Sequence, residues 1–189
     1  PDDLFASLNG EAEDLTLFGS ANIVHYKKFA ESLLLSGNRD ALANLRTAVE
    51  TWPNWRDGDW DVFYAESLRK NSETERALHL VESMKDQPPT LTTAALCELE
   101  AGNLNAASEL AQKVLKHEDG AKNFNHPEGR PDAVSRSILS LVALDVGAYD
   151  KALQLADEAI KNDVGCPIAR TSYANAMLML NQAGEACRS

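Results

Sequence analysis

The segment KHEDGAKNFNHPEGRPDA, residues 116–133, holds imidazole and carboxylate side chains of the kind that bind metal ions: His117, Glu118, Asp119, His126 and Glu128. Imidazole nitrogens and carboxylate oxygens are common protein ligands of divalent metals. However, the chain has no pair of histidines four residues apart on a helix, which is a frequent zinc-binding arrangement. A polar loop also collects such residues by composition alone. We therefore predict no metal site and no bound cofactor.

Motifs for catalysis are missing from the sequence. It contains no G-x-S-x-G, no glycine-rich phosphate-binding loop and no H-E-x-x-H. His25 and His79 lie on predicted helices, where partial burial explains them, and carboxylates on helices are usually solvated. We therefore predict that the protein is not an enzyme.

The charge balance excludes two kinds of partner. Lys and Arg number 18 against 29 Asp and Glu, a net charge of −11. Such a chain repels phosphate backbones and anionic lipid surfaces, so we predict neither a nucleic-acid nor a membrane partner. The three cysteines lie far apart, and one must stay unpaired in any intramolecular scheme, which favours a reducing, cytoplasmic location. A cleaved signal sequence would leave no trace.

The spacing of prolines indicates internal repeats. Pro89 follows Pro53 by 36 residues, and Pro167 follows Pro131 by the same distance. Each interval has room for two helices and a turn, so a repeat of helical pairs is predicted.

A second pattern marks one helix of each pair. An alanine is followed, four and seven positions later, by small or apolar residues, in the triplets Ala41/Leu45/Ala48, Ala77/Val81/Met84, Ala107/Ala111/Val114 and Ala152/Ala156/Ala159. Residues at these spacings share one helix face, so each triplet predicts the buried stripe of a second helix. The first helices carry small residues where helices are expected to cross: Ala30, Ala65, Ala95, Ser140 and Ala174.

The turns between paired helices have residues typical of helix ends. Gly37, Gly102 and Gly147 suit the left-handed residue that ends a helix. Ser72 and Glu75 have the spacing of a capping box, which predicts a helix start at that point.

With these features the chain resembles the tetratricopeptide repeat (TPR) family. The segments LSLVALDVGAYDKALQLADEAIKNDVGCP and ALCELEAGNLNAASELAQKVLKHED carry the resemblance, through residues such as Gly147, Tyr149, Ala152 and Gly102. It implies an all-α fold, a right-handed superhelix of stacked antiparallel helix pairs. The implied organisation is an acidic lead-in at 1–20, repeats at about 21–54, 58–89, 90–119 and 132–166, a partial repeat at 167–189, and an insertion at 117–131.

The resemblance also implies a groove lined by the first helix of each repeat, where a peptide or a partner helix binds. By position the lining residues are Lys27, Glu31, Phe63, Glu66, Thr92, Thr93, Leu96, Ser137, Ile138, Leu141, Thr171, Ser172 and Asn175, although the apolar members could equally belong to the core between repeats. A subfamily clamps acidic peptide C-termini with lysines and asparagines. Here Glu31 and Glu66 oppose such a ligand, which favours a neutral or basic partner.

The implied function is a non-enzymatic scaffold or adaptor. Two alternatives are a regulatory receptor for a small peptide or metabolite, and a substrate-recruiting module of a larger protein. An apolar side around Met177 and Leu180 would stay uncovered in the partial repeat, so a homodimer through that repeat is a further expectation.

The segment TWPNWRDGDWDVF, residues 51–63, contains all three tryptophans. Trp52 ends one predicted repeat and Trp60 opens the next, so both are predicted to pack at the joint between repeats. Trp55 lies between Asn54 and Arg56 and is the candidate for an exposed aromatic contact, because tryptophan is enriched where proteins bind each other.

Overall fold

The computed structural model describes residues 58–117 and 120–186, and the regular structure in these ranges is helical. Its seven α-helices are α1 (Gly58–Lys70), α2 (Thr74–Glu82), α3 (Pro88–Glu100), α4 (Leu104–Leu115), α5 (Pro131–Asp145), α6 (Tyr149–Asn162) and α7 (Pro167–Ala186). A short 3₁₀ helix, Ala121–Asn123, lies between α4 and α5.

The helices form a row of pairs. Within a pair, α1 packs on α2, α3 on α4 and α5 on α6, and each second helix also packs on the first helix that follows it. The first helices contact one another in turn, α1 with α3, α3 with α5 and α5 with α7. One side of the array is therefore built from first helices alone.

The core is built from the predicted stripes of small side chains. Ala77, Val81 and the triplets Ala107/Ala111/Val114 and Ala152/Ala156/Ala159 are all buried, while Met84 is partly buried. Ala65, Ala95 and Ser140 are buried as predicted, and small side chains there allow close helix approach. The triplet beginning at Ala41 and the crossing residue Ala30 lie outside the described residues.

The crossing residue predicted for α7 is wrong. Ala174 is exposed, and the buried stripe of α7 runs instead through Ala169, Ser172 and Ala176. Ala176 packs with Ala143 of α5 and other residues there. The helix is thus rotated about its axis relative to the orientation that the repeat pattern implied.

The helices α3 and α5 end in the same kind of turn. Gly102 and Gly147 have φ angles of 81° and 74°, which confirms the left-handed residues predicted after α3 and α5. The next backbone N–H in each turn donates to a carbonyl five residues earlier, at 2.8 Å from Asn103 to Glu98 and 2.8 Å from Ala148 to Ala143. This is the pattern of a Schellman helix end.

The capping box predicted at Ser72 is wrong. Ser72 has φ 66° and occupies the left-handed position after α1, as the glycines do after α3 and α5. The Glu73 N–H donates to the Leu68 carbonyl at 2.9 Å and closes the same turn. Because Ser72 serves the end of α1, α2 begins after Glu73, which makes no side-chain capping hydrogen bond.

Candidate functional site

The insertion, residues 120–130 in the structure, lies against both first and second helices of the array. Near its start, Ala121 packs with Leu91 and Val114. At its end, the Arg130 N–H donates to Asp163 Oδ2 at 2.8 Å, and Arg130 Nη1 donates to the Asn162 carbonyl at 2.9 Å. The segment between these two anchors is therefore held in place on both sides.

Glu128 of the insertion completes an ion cluster with the end of α1 and the end of α3. We define the ion cluster as Glu66, Arg69, Lys70, Glu100 and Glu128. Arg69 Nη2 lies 2.7 Å from Glu66 Oε2 and 2.8 Å from Glu128 Oε1, and Arg69 Nη1 donates to Glu100 Oε1. Lys70 Nζ lies 2.5 Å from Glu128 Oε1. Arg69, Glu66 and Glu128 are buried, so these charges depend on one another for solvation.

His126 joins the insertion to α1 and α3 at a second point. Its Nδ1 accepts a hydrogen bond from the Glu128 backbone N–H at 3.1 Å, so in the neutral ring the proton is on Nε2. Nε2 lies 3.0 Å from Thr93 Oγ1 and 3.4 Å from Glu66 Oε1. Glu66 Oε1 is buried and accepts no hydrogen bond from the described residues.

The ion cluster moves the pKa values of its members. Burial alone would raise the pKa of Glu66, but the nearby Arg69 and His126 outweigh it and hold that pKa well below the ordinary carboxyl range. Burial would lower the pKa of Arg69, but Glu66 raises it above its ordinary value. Burial raises the pKa of Glu100 in spite of Arg69.

The pKa of the Cys97 thiol is raised in this environment. Burial, followed by the charge of Glu66, raises its pKa to about 12. Since the thiolate is the nucleophile, a thiol that stays protonated at neutral pH is a weak nucleophile.

A cleft of about 670 Å³ opens beside the ion cluster on the side made by first helices. Four apolar side chains from α3, α5 and α7 line it: Leu96, Leu99, Leu141 and Ile168. We call these residues the apolar floor. The charged part of the lining is Arg69, Lys70, Glu100 and Glu128, and Ser72, Thr74, Pro167 and Thr171 complete it.

The structure places the predicted groove residues in different environments. Leu141 and Thr171, with Leu96, line the cleft, while Asn175 is exposed on α7 outside this lining. The buried members of the predicted set are Phe63, Glu66, Thr92, Thr93, Leu96, Ser137, Ile138 and Ser172, so Leu96 is a buried residue at the cleft. Lys27, Glu31 and Trp55 lie outside the described residues. A contact between any of these residues and a partner stays a prediction.

The buried hydroxyls of this set make hydrogen bonds inside the protein. Thr92 Oγ1 donates to the Pro88 carbonyl at 2.6 Å, and Ser137 Oγ donates to the Ala133 carbonyl at 2.8 Å. Glu66 and Thr93 lie under the insertion, where His126 meets them. The insertion thus covers part of the groove that the sequence predicted between α1 and α3.

Sequence reasoning missed the ion cluster. It considered His126 and Glu128 only as metal ligands and did not single out Arg69, Lys70 or Glu100. The spacing of Glu66 and Arg69, three residues apart on one helix, was a usable signal for an ion pair. The contact of Arg69 with Glu128, 59 residues further along the chain, has no local signal.

Of the candidate metal ligands, Glu118 and Asp119 lie outside the described residues. In the described ranges no group of three or more His, Cys, Asp or Glu side chains is arranged to hold a metal ion. His117 Nε2 lies 3.1 Å from the Asp86 carbonyl oxygen instead, and its ring meets Phe124 edge-on.

Neither a family model nor a curated protein matches the sequence. The structure is similar to the crystal structure of a thermophilic TPR protein from Thermus thermophilus, with a TM-score of 0.55. The two sequences are 22% identical, and the match covers 79% of this chain and 78% of the other. This likeness shows the fold, so the predicted all-α, TPR-like solenoid is confirmed.

Within the ranges that the structure describes, no helix is both long and apolar enough to cross a lipid bilayer. The domain boundaries given above stay predictions.

Proposed function

We propose that the protein is a non-enzymatic interaction scaffold that binds a peptide or a partner helix in the cleft. The apolar floor carries this proposal, because side chains from three successive first helices form one concave surface. A surface of this kind accepts apolar anchor residues, which supply most of the binding energy in interfaces of this type.

The charges around the cleft favour a neutral or basic partner. The charged lining of the cleft is balanced, with Arg69 and Lys70 against Glu100 and Glu128. The buried Glu66 behind it and the net charge of −11 of the whole chain add negative charge. The negative charge of the ion cluster and of the whole chain would repel a nucleic acid or an anionic membrane. The cytoplasmic location stays a prediction.

The experiment that tests this function replaces one residue of the apolar floor. Peptides are first selected on the wild-type protein from a random 12-residue phage library, and their affinity is measured by fluorescence polarisation. We expect Leu141→Lys to weaken binding at least about 10-fold, because a lysine there would disrupt an apolar anchor site.

The matched control is Val146→Lys, because Val146 is 71% exposed and does not line the cleft. Circular dichroism and thermal midpoints establish that both variants fold. Equal affinity of the two variants would contradict binding in the cleft.

The dimensions of the cleft support a second candidate, a receptor for a small peptide or metabolite. Its volume of about 670 Å³ lies within the range of about 300–1,000 Å³ found for small-molecule sites. A thermal-shift screen of a metabolite library tests this candidate. A ligand that raises the thermal midpoint of the wild type but not of Leu141→Lys would support it. A substrate-recruiting module of a larger protein would instead bind a protein segment and no metabolite.

A further inference from the structure

Glu100 differs from the other two carboxylates of the ion cluster. Its side chain is 43% exposed and lines the cleft, whereas the side chains of Glu66 and Glu128 are 0% and 6% exposed. Among the described residues, Glu100 pairs only with Arg69, through Oε1. It is therefore the carboxylate that an arriving ligand can reach.

The ion cluster is short of positive charge. Arg69 already donates from Nε and Nη2 to Glu66, from Nη2 to Glu128 and from Nη1 to Glu100. Lys70 pairs with Glu128. A cation that approaches from the cleft gains from this imbalance, and an anion is repelled by it.

Glu100 also lies next to apolar side chains of the cleft. Glu100 shares α3 with Leu96 and Leu99, and residues four apart lie on the same helix face. The aliphatic stem of a lysine or arginine can lie on such apolar surface while its charged end reaches a carboxylate.

Resting on the proposed function, we propose that the partner is a peptide segment that presents a lysine or arginine to Glu100, next to an apolar residue that packs on the apolar floor. Glu100 is then the residue that selects basic segments over neutral ones.

A double-mutant cycle tests this pairing. Each basic residue of the selected 12-residue peptides is replaced in turn by glutamine, and each peptide is measured against wild type and Glu100→Gln. We expect Glu100→Gln to weaken the binding of the parent peptide about 10-fold, the size of a modest partly buried charge pair. One peptide substitution should cause the same loss, and the two changes together should cost no more than either alone.

The matched control is Glu98→Gln, on the same helix but outside the cleft lining, where Glu98 accepts a hydrogen bond from Asn103. It should leave the affinity unchanged. Raising the salt concentration should reduce the effect of Glu100→Gln, because screening weakens an ion pair near the surface. Thermal midpoints of both variants exclude misfolding as the cause.

Two results would overturn the pairing without touching the proposed function. In the first, the selected peptides lack basic residues; in the second, Glu100→Gln and Glu98→Gln bind the peptide with equal affinity. In both, Leu141→Lys still binds more weakly than wild type. Failure of the proposed function is distinguishable, because Leu141→Lys would then bind as well as Val146→Lys.

Discussion

At the scale of single residues, Arg69 is the centre of the ion cluster. It neutralises the buried Glu66 and Glu128, and removing one partner of a buried ion pair leaves an uncompensated charge that costs about 3–5 kcal/mol. We therefore expect Arg69→Met to lower the free energy of unfolding by about that amount in urea titrations. Arg76→Met is the control, because Arg76 pairs with Glu73 at the surface with its side chain 51% exposed, and such pairs are worth about 0–1 kcal/mol.

The carboxyl group of Glu66 makes stability depend on acid. Its pKa in the folded protein lies below its unfolded value of about 4.3. The unfolded chain thus binds this proton more readily, and the stability that Glu66 contributes is present above about pH 4.3 and lost as the pH falls towards the folded pKa. We expect Glu66→Gln to be less stable than wild type at pH 7 and the difference to shrink as the pH falls below about 4, in urea titrations at several pH values. A constant difference over this range would contradict it.

At the scale of elements, Gly129 fixes the end of the insertion. Its φ is +120°, and a Cβ there would lie 2.8 Å from Asp163 Oδ2 and 3.0 Å from Cys166 Cβ. Asp163 Oδ2 is also the acceptor for the Arg130 N–H. We expect Gly129→Ala to destabilise the protein by about 1–3 kcal/mol more than a backbone effect alone, because the added methyl group forces side chains to shift.

The control for that backbone effect is Gly147→Ala. Gly147 also has a positive φ, +74°, but no atom lies within 4 Å of its Cβ position. It should cost about 1–2 kcal/mol. Equal costs for the two alanine variants in urea unfolding would rule out the steric account of Gly129.

The helices could be predicted from the sequence, because their signals are local. The stripe at Ala107, Ala111 and Val114 needs only the spacing of one helix, and the structure buries all three residues. The path of the insertion could not be predicted, because it depends on side chains such as Arg69 and Glu128 that meet from distant parts of the chain. Of the residues predicted for the groove, Leu141 and Thr171 line the cleft, but their contact with a partner stays a prediction. The sequence did not single out Arg69, Lys70 or Glu100 of the ion cluster.

The rotation of α7 escaped prediction for another physical reason. Repeat spacing places Ala174 at a crossing point, but Ala176 is the residue that packs with Ala143 and Ala152. Alanines at 174 and 176 satisfy helix propensity equally well, so packing against α5 and α6 decides between them.

At the scale of the whole molecule, α7 presents apolar side chains to solvent. Met177 is 38% exposed and Leu178 is 55% exposed. Apolar side chains on an exposed helix face favour self-association, so we expect a concentration-dependent dimer in light scattering and a monomer for Leu178→Glu. Val164→Glu, at a residue that is 66% exposed in the turn before α7, is the control. A wild type that stays monomeric at high concentration would contradict the expectation.

The insertion has a further consequence for how the array unfolds. Stacked repeats usually touch only their neighbours, so one repeat can open without disturbing the repeats beyond its neighbours. Here Glu128, three residues before α5, is bound by Arg69 and Lys70 at the end of α1. The pair α1–α2 cannot open without breaking the ion pairs that Arg69 and Lys70 make with Glu128, just before the α5–α6 pair. The two pairs should therefore open as one cooperative unit, with similar opening free energies for the amides of α1 and α5 in native-state hydrogen exchange.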